Sequence, residues 1–346
     1  MKKAKKVLIP VLIILLLLAV SGFVVWKYYP ELIWKYLPDR EEDPGLVTDA
    51  ELQAIQSSGG KDSAFPAYED SEFSEVIGFE EPDPEQDVIG ETASVVVLTA
   101  NVYEYDTVHS QLVKTLSGGT QFTIEAESGD FYQISKDGEI LGYIAKTDVK
   151  LGVWYARLEG AVDLRELLPE AEIDMLFASY RNIVGEPMYP AIPLMEYSAA
   201  MRLKEAYDEF RQDGYTIRVC DAYRPKSAQY KLYDLVEDTR FIANPNNGNS
   251  WHQLGRAIDM SLIKVDTGEE IHTPTPMHTF DNLSARYERG KWTEEQAQDI
   301  DYMTDVMQRH GFGIISTEWW HFEYTASGNV MDNNLDFNKI SFVRVR

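Results

Sequence analysis

Twenty consecutive residues, Val7 to Trp26 (VLIPVLIILLLLAVSGFVVW), carry no charge. As a helix rising 1.5 Å per residue they span about 30 Å, the thickness of a bilayer core. The chain is therefore expected to divide into one membrane segment and a remainder on one side of it. Pro10 falls in the first turns, where a missing N–H costs least. Lys2, Lys3, Lys5 and Lys6 precede the run, and Trp26, Tyr28, Tyr29 and Trp34 follow it like an interfacial belt. The basic flank then stays in the cytoplasm and everything after residue 38 lies outside the cell membrane. A signal peptide cleaved near Ala19-Val20-Ser21 is the competing reading, although the apolar run continues through Phe23, Val24 and Val25.

Residues 39–92 change character. Between 39 and 90 there are sixteen acidic residues against Arg40 and Lys61, a net of −14 within the chain's −25. With Pro44, Pro66, Pro82, Pro84 and a Ser57-Ser58-Gly59-Gly60 run, this stretch is expected to be a self-repelling, disordered linker. The overall balance of 32 basic to 57 acidic residues excludes a nucleic-acid partner, which needs a basic patch. A single cysteine, Cys220, excludes an internal disulfide framework and any multi-cysteine metal site.

Short β-type runs fill residues 93–152. Ser94–Leu98, Gln111–Leu116, Thr120–Ile124, Phe131–Ile134 and Leu141–Ala145 read as about five strands. Ser117-Gly118-Gly119, Ser128-Gly129-Asp130 and Lys136-Asp137-Gly138 supply the turns. The length suits a small all-β barrel. Ala100-Asn101-Val102-Tyr103, Leu116 to Thr120, Asp130 to Ile134 and Gly142-Tyr143-Ile144 resemble a bacterial SH3-type domain. That resemblance implies either cell-wall peptide binding or a structural spacer.

From 153 to 346 the texture is α+β. Ser198–Gly214, Lys226–Asp238 and a segment opened by Thr293 and Gln296 and closed by Gly311 read as helices. Tyr215–Cys220, Arg256–Val265, Gly313–Ile315 and His321–Tyr324 read as strands. Among the six histidines, His252 stands in Ser250-Trp251-His252-Gln253-Leu254-Gly255-Arg256-Ala257-Ile258-Asp259 and His321 in Glu318-Trp319-Trp320-His321. A catalytic zinc needs three protein ligands and one open position. His252, Asp259 and His321 offer two imidazoles and a carboxylate, and Glu318 lies close enough in sequence to reach a bound water for proton transfer. Each residue alone is weak evidence of chemistry; the joint pattern Ser-x-His-x6-Asp with Glu-x-x-His is much stronger.

These motifs resemble the zinc D-alanyl-D-alanine dipeptidases of the vancomycin-resistance type and their D,D-carboxypeptidase relatives. Asp221-Ala222-Tyr223-Arg224-Pro225 is similar to the family's arginine motif. Val162-Asp163-Leu164, Asn182 to Tyr189, Asp266-Thr267-Gly268 and Phe280-Asp281 follow in the expected order. The resemblance implies an α+β zinc peptidase domain with one zinc on His252, Asp259 and His321, Glu318 as general base and acid, and Arg224 on the oxyanion. It implies that Ser250 contacts the substrate, with a turn role as the alternative, and that Asp281 binds the free ammonium of a dipeptide, with a capping role as the alternative. Arg224 has a structural salt bridge as its alternative. Leu176, where relatives carry a basic residue, and the long His272–His278 loop with Pro274 and Pro276 depart from the pattern.

The chain is thus expected to combine an N-terminal transmembrane helix, a small all-β barrel and a zinc peptidase domain. Its expected substrate is the D-Ala-D-Ala dipeptide. The two competing expectations are a D,D-carboxypeptidase trimming peptidoglycan stem peptides and a wall-binding protein without catalysis.

Overall fold

The structure, a computed structural model, describes residues 46, 47, 53, 87–328 and 330–345. The apolar run 7–26 and most of the acidic stretch lie outside the described residues. Among the described residues no helix is long and apolar enough to cross a membrane. Within the acidic stretch Leu46–Val47 forms a two-residue strand, β1.

Residues 92–151 form seven strands: β2 (Thr92–Val95), β3 (Thr99–Tyr103), β4 (Leu112–Ser117), β5 (Gln121–Ser128), β6 (Phe131–Lys136), β7 (Glu139–Ala145) and β8 (Val149–Leu151). All neighbours pair antiparallel in the order β4-β3-β7-β6-β5-β2-β8. Alternate residues turn inward, so that Val95, Val102, Ile124, Ile134 and Ile144 meet in a core of their own. The hairpin between β6 and β7 turns on Asp137 and Gly138, both with positive φ (53° and 82°), as a two-residue turn of the primed type requires. About five strands were expected; β3 and β8 are additional, and β8, three residues long, is too short to show a period. Ser117-Gly118-Gly119 does more than turn the chain. Ser117 Oγ accepts from Ala191 N at 3.0 Å, and Gly118 lies so close to the Phe342 ring that a Cβ would not fit.

The remainder is built on two sheets. One has the order β12-β10-β9-β18, from Val153–Leu158 (β9), Ala161–Asp163 (β10), Leu194–Glu196 (β12) and Ser341–Val345 (β18). The other has the order β11-β13-β15-β17-β16, from Glu172–Ile173 (β11), Tyr215–Asp221 (β13), Ala257–Lys264 (β15), Gly313–Ile314 (β16) and His321–Glu323 (β17). A short strand, β14 (Asn249–Ser250), pairs antiparallel with β1, Leu46 lying opposite Ser250.

The helices are α1 (Leu164–Leu167), α2 (Tyr197–Gln212), α3 (Lys226–Val236) and α4 (Glu294–Arg309). Helix α2 buries Ala199, Ala200, Leu203, Ala206, Tyr207 and Phe210, the three-and-four spacing of one face, and packs on β13. Helix α4 opens with the expected capping box of Thr293 and Gln296 and packs on α2 and β16. Together they cover a core that includes Phe177, Ile217, Ile258, Met260, Trp319, Trp320 and Phe322.

One irregularity of this sheet decides the site. Val219 on β13 pairs with Met260 on β15, yet the next pair is Asp221 with Asp259, which leaves Cys220 as an extra residue in a bulge. In a regular ladder Cys220 would face Asp259. The bulge turns Asp221 there instead. On the other side of β15, Asp259 pairs with His321 of β17. Directly opposed residues project to the same face of a sheet, so Asp221, Asp259 and His321 form one polar row across three strands.

Candidate active site

The row supplies two of the expected metal ligands, and the turn between β14 and β15 supplies the third. Gly255 closes that turn with φ 69°, where a Cβ would run into Met331. The turn is fastened to the segment after β13 by two bonds. Arg224 N donates to the His252 carbonyl at 3.1 Å. His252 Nδ1 donates to the Ala222 carbonyl at 2.7 Å, which fixes the ring with Nε2 pointed at the row.

Three atoms then converge. His252 Nε2 lies 3.1 Å from His321 Nδ1 and 3.3 Å from Asp259 Oδ1, and His321 Nδ1 lies 3.1 Å from Asp259 Oδ1. Ligands at about 2.0–2.2 Å from a tetrahedral zinc stand about 3.3–3.5 Å apart, so the triangle fits that ion to within a few tenths of an ångström. All three side chains are buried. On the outer side His321 Nε2 faces Glu323 Oε2 at 3.4 Å, so each imidazole is oriented through its other nitrogen, as metal-bound histidines usually are. The electrostatics agree. Burial alone would lower the His321 pKa, but the Asp259 and Glu323 carboxylates push it up to about 10. Burial likewise opposes ionisation of Asp259, yet the surrounding imidazoles hold it well below the usual carboxylate range. The cluster attracts positive charge.

Glu318 sits on the loop before β17, its Oε2 3.9 Å from His321 Nδ1 and its side chain buried. Burial, then the Asp259 charge, push its carboxyl up to about 8, against the opposing pull of His321 and Arg224. A carboxyl poised near neutral pH can both take and give a proton. The loop is held by Arg286, whose Nε donates to the Glu318 carbonyl at 2.9 Å, Nη2 to the Trp319 carbonyl at 2.7 Å and Nη1 to Thr304 Oγ1 at 2.6 Å. Burial lowers the Arg286 pKa to about 9, which still leaves it protonated at neutral pH.

Arg224 is buried and held on several sides. Its Nε and Nη2 donate to Asp221 Oδ2 at 2.8 and 2.6 Å, and Nη1 donates to Gln229 Oε1 at 2.9 Å. Nη2 also approaches Asp259 Oδ2 at 3.5 Å, and the guanidinium lies 4.7 Å over the Phe177 ring. Burial works against its charge, but Asp221 and Asp259 more than offset that and raise its pKa. The salt bridge and the expected oxyanion contact are compatible. Asp221 fixes the guanidinium plane, and among the described residues one N–H of Nη1 has no acceptor.

Ser250 is buried at the wall of the same cleft. It also serves the turn, its backbone N–H donating to Gln253 Oε1 at 2.8 Å. The structure thus gathers His252, Asp259, His321, Glu318, Arg224 and Ser250 around one cleft. Asp281 stands apart. It is exposed and absent from the residues lining the cleft, and its Oδ1 caps the turn Asn282–Ser284 by accepting from Leu283 N at 2.8 Å and Ser284 N at 3.2 Å.

Sequence reasoning missed four participants: Asp221 as the partner of Arg224, Glu323 behind His321, Phe177 under Arg224, and His278. Glu323 was open to detection, because residues two apart on a strand share a face. Phe177 follows Leu176, the position that departs from the family pattern.

A family model described as D-ala-D-ala dipeptidase matches residues 157–340. The D-alanyl-D-alanine dipeptidase of Escherichia coli is 29% identical over 163 residues, 47% of this chain and 83% of that protein. That of Enterococcus faecalis is 28% identical over 184 residues, 47% of this chain and 91% of that protein. A solved structure of a mutant of the vancomycin resistance D,D-pentapeptidase VanY with Zn(II) is 18% identical. It covers 39% of this chain and 74% of that one at a TM-score of 0.26, an overlap too small to bear on function.

Proposed function

The chain belongs to the D-ala-D-ala dipeptidase family, and from that premise we propose that it is a zinc metallopeptidase hydrolysing the D-Ala-D-Ala peptide bond in cell-wall peptide metabolism. The observation that carries this reading is the triangle of His252, Asp259 and His321 with the Glu318 carboxyl 3.9 Å from one corner. Zinc held by those three residues supplies a Lewis acid and lowers the pKa of water from about 15.7 toward about 7. Glu318 takes the proton of the attacking water and delivers it to the leaving amine. A carboxyl beside the attacking water can serve both halves of that task. The uncommitted N–H of Arg224 is directed to the oxygen on which charge develops, and the salt bridge to Asp221 means that it needs no reorganisation there. Ser250, at the cleft wall, contacts the substrate.

A second reading, a D,D-carboxypeptidase trimming peptidoglycan stem peptides, is favoured by the position of Asp281. A carboxylate that met the substrate ammonium would select dipeptides and penalise longer chains, and Asp281 instead caps an exposed turn. The full-length protein, assayed with free D-Ala-D-Ala beside a pentapeptide ending in D-Ala-D-Ala, is expected to release D-alanine with the higher kcat/KM on the dipeptide. Preference for the pentapeptide would establish the second reading. Hydrolysis of neither by zinc-loaded protein would overturn both.

The residues before the peptidase domain are assigned from their sequence. Residues 1–38 are assigned as a single-pass membrane anchor, 39–92 as an acidic tether, and 93–152 as an SH3-type barrel that either binds wall peptide or serves as a structural spacer. Protease added to intact protoplasts should then remove the peptidase domain, and full protection would contradict this topology.

A further inference from the structure

His278 is assigned no part in the chemistry above, yet it reaches the metal triangle from outside. It lies in the long loop between β15 and α4, which Thr275 ties to the site by accepting from Trp319 Nε1 at 3.0 Å. Its Nε2 stands 2.9 Å from Asp259 Oδ2. The two oxygens of Asp259 thus face different groups. Oδ1 faces His252 and His321, at 3.3 and 3.1 Å, whereas Oδ2 faces His278 and, at 3.5 Å, Arg224. An ionised carboxylate only accepts, so His278 Nε2 is the donor of that contact.

Two local penalties are concentrated at this one residue. Its φ is 56°, in the left-handed region that residues other than glycine rarely adopt. Its Nδ1 is buried with no hydrogen-bond partner among the described residues. The ring is also clamped. It stacks on Phe177 at 4.3 Å and 6°, and Trp320 meets it edge-on at 5.7 Å and 81°. Packing of that kind over-determines an orientation whose one evident product is the N–H aimed at Oδ2. An isolated structural histidine would relieve either penalty by turning its ring or relaxing its backbone.

We propose that His278 is a positioning residue for the metal, holding Asp259 Oδ2 so that only Oδ1 is presented to the ion and the carboxylate cannot swing to bind through both oxygens. The proposal rests on the metal reading above. One-oxygen binding by Asp259 keeps a position free for water and substrate at a three-ligand site, and partners outside the ligands typically change metal affinity or activity about 10–100-fold when removed.

The test uses the full chain and zinc itself, with affinity read by competition against a chromophoric chelator. His278→Phe keeps a ring of similar shape for Phe177 and removes the donor. It should weaken zinc binding about 10–100-fold and lower kcat more than it raises KM, with the circular dichroism of the metal-free protein unchanged. His278→Gln places an amide N–H near the reach of Nε2 and should recover most of the affinity. In His278→Phe the melting temperature of the metal-free protein should therefore stay close to that of wild type while zinc binding weakens, a separation that a merely structural histidine would not show. Zinc binding by His278→Phe within about two-fold of wild type would overturn the proposal. Loss of zinc as complete as in His321→Ala would also overturn it, by making His278 a ligand. Wild type that takes up no zinc at all would remove the metal reading itself, and this proposal with it.

Discussion

His321→Ala is expected to lose zinc and hydrolysis together while keeping its fold. The imidazole contributes one corner of the triangle, with Nδ1 3.1 Å from both the His252 and the Asp259 donor atoms. Removing it leaves two ligands, below the three that catalytic zinc sites carry. The fold should survive because His321 is outside the main apolar core, which is built from neighbours such as Trp319, Trp320 and Phe322. Elemental analysis should show near-stoichiometric zinc in wild type and almost none in the variant. Thermal unfolding adds a second readout. An ion that binds only the folded state raises the melting temperature with concentration, so zinc should shift wild type upward and leave His321→Ala unmoved. Retention of stoichiometric zinc by His321→Ala would show that the ion is held elsewhere.

The triangle of His252, Asp259 and His321 and the nearby Glu318 are legible in the sequence because their identity lies in short local strings, Ser250 to Asp259 and Glu318 to His321. Strand and helix assignments near them also survive, since β15 and α4 carry strong periods and α4 a complete capping box. What brings the two strings together is not local. It is the register that sets Asp259 opposite His321, and the bulge at Cys220 that turns Asp221 toward Arg224. Neither leaves a mark in composition or period. Tyr215 to Cys220 reads as a plain alternating strand, and the extra residue becomes visible only when β13 is laid against β15.

His278 illustrates a different limit. Its loop was conspicuous for its length and its two prolines, yet nothing in the order of residues from His272 to Asp281 shows which side chain turns inward. That choice follows from Phe177, more than a hundred positions earlier, which stacks on the ring. At Asp281, where the resemblance implies a substrate carboxylate, the structure shows the capping contact of the alternative reading. The following residues, Asn282-Leu283-Ser284, form a turn whose free N–H groups an aspartate at the first position satisfies. The short strand β1 was equally hidden. Two apolar residues in a strongly acidic stretch give no period to read, and their partner is an edge two hundred residues away.

Glu318→Gln should separate chemistry from metal binding. The substitution keeps the shape of the side chain and removes the titrating carboxyl. Because the three ligand atoms meet without Glu318, zinc content should stay near that of wild type. Turnover should fall at least about 10²-fold, the lower end for loss of general acid–base catalysis. The same variant carries a pH signature in the metal-free protein. Burial raises the Glu318 carboxyl from 4.5 to about 8 in the fold, so folding favours its protonated form. That contribution is fully present below 4.5 and is lost as pH rises toward about 8, where the buried carboxyl is forced to ionise. Metal-free wild type should therefore lose melting temperature relative to metal-free Glu318→Gln across that window. Added zinc should narrow the difference, because a cation beside the carboxylate stabilises its ionised form. Loss of zinc in Glu318→Gln as complete as in His321→Ala would make Glu318 a ligand. Full zinc with full turnover would place the base on another residue. Among the described residues no carboxylate other than Glu318 and the proposed ligand Asp259 lines the cleft, so that outcome would remove the proposed proton route altogether.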